Sequence, residues 1–411
     1  MEWSTRAVIG LAFVLGPALV SAQPTLSLSQ AVDQALERPT LKAETERVAA
    51  AQARVHQAGL WQNPEFQFTN ENLRPGQSYW HDVDILAVFT QPLDIVGKRE
   101  HRMDVAEQTA ARAAADAELA RRTLTRQVEL AYWAARGAQE RRDLLRAAVT
   151  NFQRIVDYHQ AQLSVGAIPE QDVLRVRLEH ERLQIAANLA NIEAAAARTA
   201  LFRELGRRDD PALVLTEPLD AERSPSAGPT DAALAERAEL QVSKAAVAEA
   251  VASLNLLKAN ARPDLAAIVG YKRTLLPDST SGVNTAVAGI RLTLPLIDRN
   301  QNNQLAAQAE ARRQQFLLAE TEAQIRTDQD RAREEYALRR ADVSATLKPL
   351  REHATALADI ARAAYEQGAV DILRLLDAER TRLDAERAWV DGMVGYQQSV
   401  VNLQFAEGAV R

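Results

Sequence analysis

Tyr365-Glu366-Gln367-Gly368 has a counterpart earlier in the chain, Leu163-Ser164-Val165-Gly166. The two glycines are 202 positions apart, and an apolar stretch follows each of them. The same offset relates four further pairs downstream, namely Leu174/Leu376, Ile192/Val394, Leu201/Leu403 and Gly206/Gly408. An offset that holds for so long without a gap indicates an internal duplication, in which one structural unit is used twice.

The duplication extends back towards the N-terminus. Ala35-Leu36-Glu37-Arg38 is echoed by Leu234-Ala235-Glu236-Arg237, and Pro64-Glu65 is echoed by Pro263-Asp264, both at an offset of 199. We therefore divide the chain into a first repeat at 23–206, a linker at 207–230 that is rich in proline and glycine, and a second repeat at 231–411.

Composition favours long helices. The 411 residues are 47% apolar, with much alanine and leucine, and only 5% aromatic, which suits closely packed helices. The net charge is −6 and the basic residues are dispersed, so the sequence predicts no nucleic-acid partner.

Residues 1–22 have the pattern of a secretory signal peptide, with Arg6 before an apolar run and Val20-Ser21-Ala22 as a small-residue cleavage site. A retained anchor helix is the alternative.

The chain has no cysteine, which excludes disulfides and a lipid-modified cysteine. No later stretch offers the ~20 apolar residues that a spanning helix requires.

Two segments alternate apolar and polar residues, as strands do. We predict β-hairpins at 64–93 and 263–296, giving four strands of roughly ten residues each. This length matches a membrane-spanning strand. A bilayer admits no open sheet edge, so four strands cannot span it alone, whereas three copies would supply twelve. The alternative is a pair of soluble hairpins that cap a helical bundle.

The remaining segments predict helices. We expect one at 26–62 with Pro39 near its start, long ones at about 97–165 and 300–367 with a kink at Pro349 in the second, and two of about 36 residues after the glycine turns. Apolar residues in the last two follow coiled-coil spacings. Residues 212–215 predict a short strand in the linker.

Together these features resemble the TolC family of outer-membrane channel proteins. The resemblance covers nearly all of the mature chain, and its most specific residues are Tyr365-x-x-Gly368 with Leu375-Leu376-Asp377-Ala378, and Gly166 with Asp172-Val173-Leu174. The passage from Gln91 to Arg99 is similar to the CzcC-like branch, which serves heavy-metal efflux. The resemblance implies a mostly α-helical fold with a membrane β-barrel: a homotrimer with twelve strands in the outer membrane and a helical tunnel through the periplasm.

The resemblance also implies function and partners. It implies a passive efflux channel that works with a periplasmic adaptor and an inner-membrane pump of the resistance-nodulation-division (RND) class. The turns at Gly166 and Gly368 would form the periplasmic tip. Asp172 and Tyr365 stand where the family has residues that link tip helices, and Asp377 stands at an aperture aspartate.

The tip departs from the family pattern at two positions. Val370 replaces a linking arginine, and Arg374 replaces a second aperture aspartate. We therefore expect a different closed state, in which Arg374 pairs with Asp377 or Asp172, because residues 374 and 377 share a helix face.

No catalytic or cofactor site is recognisable. The six histidines are scattered, and His81-Asp82-x-Asp84 in the first hairpin, the nearest approach to a metal cluster, is better explained as a solvated loop. The sequence leaves three functions open: a channel for divalent metal cations, a channel for drugs or secreted polypeptide, and a periplasmic coiled-coil adaptor. The duplication and the four strands argue against the adaptor.

Overall fold

The structure is a computed structural model that describes residues 24–73, 75–76, 79, 83–208, 213–223, 236–275 and 282–408. The predicted signal peptide, His81, Asp82 and much of the predicted linker lie outside the described residues.

The fold is mostly helical with four long strands, so the predicted fold class is confirmed. The helices are α1 (Leu28–Leu36), α2 (Pro39–Ala58), α3 (Lys98–Ser164), α4 (Glu170–Leu205), α5 (Ala238–Asn260), α6 (Gln301–Asp342), α7 (Lys348–Glu366) and α8 (Ile372–Ala406). The strands are β1 (Thr25–Leu26), β2 (Glu65–Glu71), β3 (Asp84–Leu93), β4 (Val214–Leu215), β5 (Asp264–Thr274) and β6 (Val283–Thr293).

The single helix predicted at 26–62 is wrong. The segment forms two helices, and α1 starts with a capping box between Ser27 and Gln30. Pro39 is the first residue of α2, and Arg38 before it is extended. A proline disfavours helical geometry in the residue that precedes it, which explains the break.

The two long helical segments have nearly the same length but differ in continuity. α3 runs for 67 residues without interruption, about 100 Å at 1.5 Å per residue. Its counterpart is divided into α6 and α7 by a π-helical turn at Val343–Leu347. The sequence predicted a kink at Pro349, and the structure has a π-helical turn just before this proline.

The helices form a layer in which each packs on its neighbours in the order α4, α3, α8, and then α6 with α7. The largest cluster of buried side chains lies near the middle of α3, around Tyr132 and Trp133. There the Tyr132 hydroxyl donates to the Leu26 carbonyl and accepts from the Glu217 backbone N–H. The linker strand β4, which pairs with β1 in parallel, is thereby fixed to α3.

The four long strands form one antiparallel sheet in the order β2-β3-β5-β6. The hairpins β2-β3 and β5-β6 are joined through β3 and β5, where Ile85 lies opposite Arg273 and Leu93 lies opposite Leu265. β2 and β6 are therefore the two edges of the sheet. Among the described residues, no helix has the length and apolar character required to cross a membrane.

Candidate functional site at the helical tip

The two turns that join the long helices to α4 and α8 have the same geometry. Gly166 and Gly368 both have φ of +70°. The N–H of Ala167 donates to the Gln162 carbonyl at 2.9 Å, and the N–H of Ala369 donates to the Ala364 carbonyl at the same distance. This is the Schellman arrangement, which satisfies the last carbonyls of a helix and favours glycine at the left-handed position. Both helical pairs thus reverse direction at equivalent points.

A half-buried hydrogen bond joins the two long helical segments close to these turns. The Tyr365 hydroxyl on α7 lies 2.7 Å from Nε2 of His159 on α3. The rings are nearly parallel, at 16° with centroids 5.7 Å apart. His159 is only 1% exposed, so this contact is an internal link between the two repeats.

The direction of this hydrogen bond follows from the other ring nitrogen of His159. Nδ1 lies 2.7 Å from the Ile155 carbonyl, which can only accept, so Nδ1 carries the proton. In the neutral ring Nε2 is then an acceptor, and the Tyr365 hydroxyl donates to it. Burial, with Tyr158 and Asp172 nearby, raises the pKa of Tyr365, which keeps the hydroxyl protonated as a donor.

Of the other predicted tip residues, Asp172 and Arg374 lie on the first turns of α4 and α8, and Asp377 lies on the second turn of α8. Asp172 lies 3.6 Å from Arg175 of its own helix. The Arg374 backbone N–H is capped by the Asp371 carboxylate at 3.1 Å, and the side chains of Arg374 and Asp377 are exposed. Among the described residues of a single chain, no ion pair joins Arg374 to Asp172 or Asp377.

A second polar link ties α7 to α8 one turn further from the tip. Glu379 is 4% exposed and accepts from Arg362 of α7 and from Nε of Arg382 at 3.0 Å. This contact raises the pKa of Arg362. The ion pairs and the Tyr365–His159 bond border one cleft of about 530 Å³ between α3, α7 and α8.

At the other end of the molecule, one face of the sheet is apolar and exposed. Phe66 lies opposite Phe89, with ring centroids 4.8 Å apart, and Phe89 lies opposite Val269. The exposed large apolar residues of the strands on this face are Phe66, Phe68, Phe89, Val269, Tyr271, Ile290 and Leu292. The opposite face carries Glu65, Glu71, Asp264, Lys272 and Arg291. A sheet with this polarity suits lipid on one side and water on the other.

A family model described as outer membrane efflux protein matches residues 31–207 and 230–409, which together are most of the chain. The chain belongs to the outer membrane efflux protein family. It is an outer-membrane efflux channel that extends into the periplasm, and the resemblance to TolC-like channels is confirmed. The family is one of channels rather than enzymes.

Individual relatives agree with this assignment. The cobalt-zinc-cadmium resistance protein CzcC of Cupriavidus metallidurans is 24% identical over 356 residues, which are 86% of this chain and 83% of CzcC. Among solved structures, the open state of the Neisseria gonorrhoeae MtrE outer membrane channel has a TM-score of 0.73 at 19% identity, covering 93% of this chain and 89% of MtrE. The outer membrane protein VceC of Vibrio cholerae has a TM-score of 0.72 at 18% identity, covering 93% and 96%.

Sequence reasoning missed His159, which it grouped with five scattered histidines. A signal was present, because Phe152, Val156 and His159 step by 4 and 3 along α3. That spacing places the imidazole on the buried face of the helix, where a polar group requires a partner. Within the described residues, no three His, Asp or Glu side chains converge as a metal site would require.

Proposed function

We propose that this chain is the outer-membrane channel of a tripartite efflux system for divalent heavy-metal cations of the cobalt, zinc and cadmium type. The similarity to CzcC along 86% of the chain carries the choice of cargo. The remaining partners are a periplasmic adaptor and an inner-membrane RND pump, which supplies the energy. The cations are cargo, so the channel needs no tight metal site, because a conduit that bound its ions tightly would not release them.

The two edges of the sheet support a homotrimer. β2 and β6 are unpaired edges within one chain, and a bilayer admits no open edge. Pairing β6 of one copy with β2 of the next closes the sheet, and three copies give twelve strands. The exposed apolar face would then contact lipid, and the face with Glu65, Glu71 and Lys272 would line the interior.

The helical layer has two free flanks in the same way. Exposed apolar side chains follow α4 at helical spacing: Leu174, Leu178, Ile185, Leu189 and Ile192, each between 48% and 66% exposed. A second set lies on α6 and α7: Phe316, Leu338, Leu350, Leu357 and Ile360. These flanks are at opposite ends of the layer. Different surfaces that meet head to tail generate a closed ring, so we assign the α4 flank of one copy to the α6–α7 flank of the next.

The tip turns would narrow the tunnel, with Asp172, Tyr365, Arg374 and Asp377 around the aperture. Arg374 and Asp377 are exposed and form no ion pair with any other residue that the structure describes, so both remain available to another copy. We retain the pairing of Arg374 with Asp377 or Asp172 as a contact within the trimer. An Arg374→Ala variant with unchanged conductance would contradict it.

The test of cargo is growth of a deletion strain against graded zinc, cobalt and cadmium, with hydrophobic drugs in parallel. Metal sensitivity that is restored by the wild-type gene supports the proposal. Drug sensitivity with unchanged metal tolerance would instead favour the second candidate, a multidrug or secretion channel. Gln184→Glu changes an exposed residue outside the apolar flank of α4. This variant should restore tolerance as the wild-type gene does, and it controls for expression of the introduced gene.

A further inference from the structure

The two hairpins of the sheet have the same register once the duplication is taken into account. Glu65 of β2 lies opposite Thr90 of β3, and Asp264 of β5 lies opposite Thr293 of β6. Glu65 and Asp264 are 199 positions apart, and Thr90 and Thr293 are 203 positions apart. Each residue of β2 and β3 therefore has a defined equivalent in β5 and β6.

The seam between the hairpins, where β3 pairs with β5, predicts the seam between two copies. In the proposed trimer, β6 of one copy lies beside β2 of the next, just as β3 lies beside β5 within the chain. Leu93 lies opposite Leu265 in the observed seam. The two offsets convert this pair into Leu296 of one copy opposite Phe66 of the next.

The end of β6 supports this register. In the first repeat, β3 continues to residue 93 although its pairing with β2 ends at residue 90, because residues 91–93 pair with β5. The equivalent residues 294–296 lie beyond the end of β6 and pair with no strand among the described residues. In the predicted seam they pair with residues 66–68 of the next copy, which would extend β6 to the length of its counterpart.

The apolar face of the sheet narrows the choice of register. The predicted seam places Leu296 opposite Phe66 and Leu294 opposite Phe68, and each of these side chains is more than half exposed in a single chain. A shift by one residue would turn the apolar side chains of one strand to the other face. Only registers that differ by two residues therefore compete with the predicted one.

The polar face decides between these registers. Val88 lies opposite Gly270 in the observed seam. The same two offsets convert this pair into Arg291 of one copy directly opposite Glu71 of the next. A shift of two residues in either direction would place an uncharged residue opposite Glu71 instead. The predicted register is therefore the one that pairs opposite charges.

Glu71 has a physical need for such a partner. It lies opposite Asp84 within its own hairpin, and like charges in that position repel each other. Lys272 lies 4.0 Å from Glu71, at the limit of an ion pair. Arg291 is exposed and forms no ion pair with any residue that the structure describes. An arginine beside the open edge of β2 would offset the repulsion between Glu71 and Asp84.

We propose that a charge pair between Arg291 of one copy and Glu71 of the next fixes the register in which the sheets of neighbouring copies join. The partner that this edge fits is another copy of the chain, with opposite charges on the polar face and leucine against phenylalanine on the apolar face. This inference rests on the proposed homotrimer and adds the residues that each copy contributes. The pair also cancels the charge of Arg291, which would otherwise repel metal cations inside the proposed channel.

Disulfide trapping tests the register. The chain has no cysteine, and two strands separate β2 from β6 within one chain, so a bond between positions 71 and 291 must join two copies. We expect Glu71→Cys with Arg291→Cys to yield covalent dimers and trimers on oxidation, and either change alone to yield none. Glu71→Cys with Gly289→Cys is the matched control and should yield at least about threefold less, because its cysteines would lie diagonally. A higher yield from the control would overturn the register.

Exchange of the two charges tests the pair itself. Glu71→Arg and Arg291→Glu each place like charges at the seam, and each should lower the trimer fraction in native mass spectrometry about threefold. The double variant restores opposite charges and should recover the wild-type fraction. If Lys272→Glu rescued Glu71→Arg and Arg291→Glu did not, Glu71 would belong to an ion pair within its own chain, which contradicts the proposal.

The same experiments separate this inference from the proposed assembly. A trimeric wild-type protein whose variant forms no bond between positions 71 and 291 would refute the register and leave the homotrimer standing. A wild-type protein that is not trimeric in native mass spectrometry would refute both.

Discussion

The two long helical segments share length and position in their repeats but differ in their surroundings. α3 has fourteen buried residues, among them Tyr132 and Trp133. α6 has four buried residues and α7 has two. The position equivalent to Trp133 is Glu335, which is half-buried. One copy of the duplicated helix thus lies inside its own chain, and the other forms its flank.

In the proposed trimer, this difference is what lets a duplicated chain build a ring. α3 and α8 occupy the middle of the helical layer and contact each other, whereas α4 and α6–α7 form the outer flanks. In the proposed trimer, the exposed leucines and isoleucines on the flanks pack against another copy. The segment that carries the interrupted turn then lies at the interface between copies.

We expect the largest difference in stability between the repeats when equivalent residues in the middle of the two long helical segments are replaced. Trp133→Ala empties a buried site and should lower the free energy of unfolding by about 3–5 kcal/mol. Glu335→Ala should change it by less than about 0.5 kcal/mol. The thermal midpoint of the helical circular dichroism signal in detergent, scanned at one heating rate, should therefore fall for Trp133→Ala and stay nearly unchanged for Glu335→Ala. Similar losses in both variants would refute the contrast.

The flank of α4 provides the next test. Ile185→Glu places an unpaired carboxylate in the interface that we assign between copies, where its burial should cost several kcal/mol. We expect the trimer to dissociate in native mass spectrometry. Gln184→Glu adds the same charge about 100° around the helix and should leave the trimer intact. A trimer that tolerates Ile185→Glu would place the interface elsewhere.

Much of this fold was predictable because the sequence patterns that determine it are local. Alternation of apolar and polar residues over 64–93 and 263–296 predicted the strands. The glycines at 166 and 368 predicted the points where the chain reverses between helices. Both features follow from backbone geometry alone. The break at Pro39 was misjudged because a proline can start a helix or end one. The structure resolves this: Arg38 is extended and Pro39 is the first residue of a new helix, α2.

The tip was less predictable, for a physical reason. The partner of Tyr365 is 206 positions away, and no local spacing predicts which of several polar groups a hydroxyl will contact across two helices. Asp172 is near enough to affect the pKa of Tyr365, yet the hydroxyl donates to His159. The family position of Tyr365 therefore predicted a contact between tip helices, but it did not predict His159 as the partner.

The two tip glycines should show where the repeats remain alike, and here we expect the smallest effect. Neither glycine has an atom within 4 Å of an added Cβ, so Gly166→Ala and Gly368→Ala meet only the cost of the left-handed conformation, about 1–2 kcal/mol. The two thermal midpoints should fall equally. Gly289→Ala, in equally open space but without positive φ, is the control and should cause no loss. A larger fall for Gly368→Ala than for Gly166→Ala would mean that the two turns differ in their surroundings, and the asymmetry between the repeats would then extend to the tip itself.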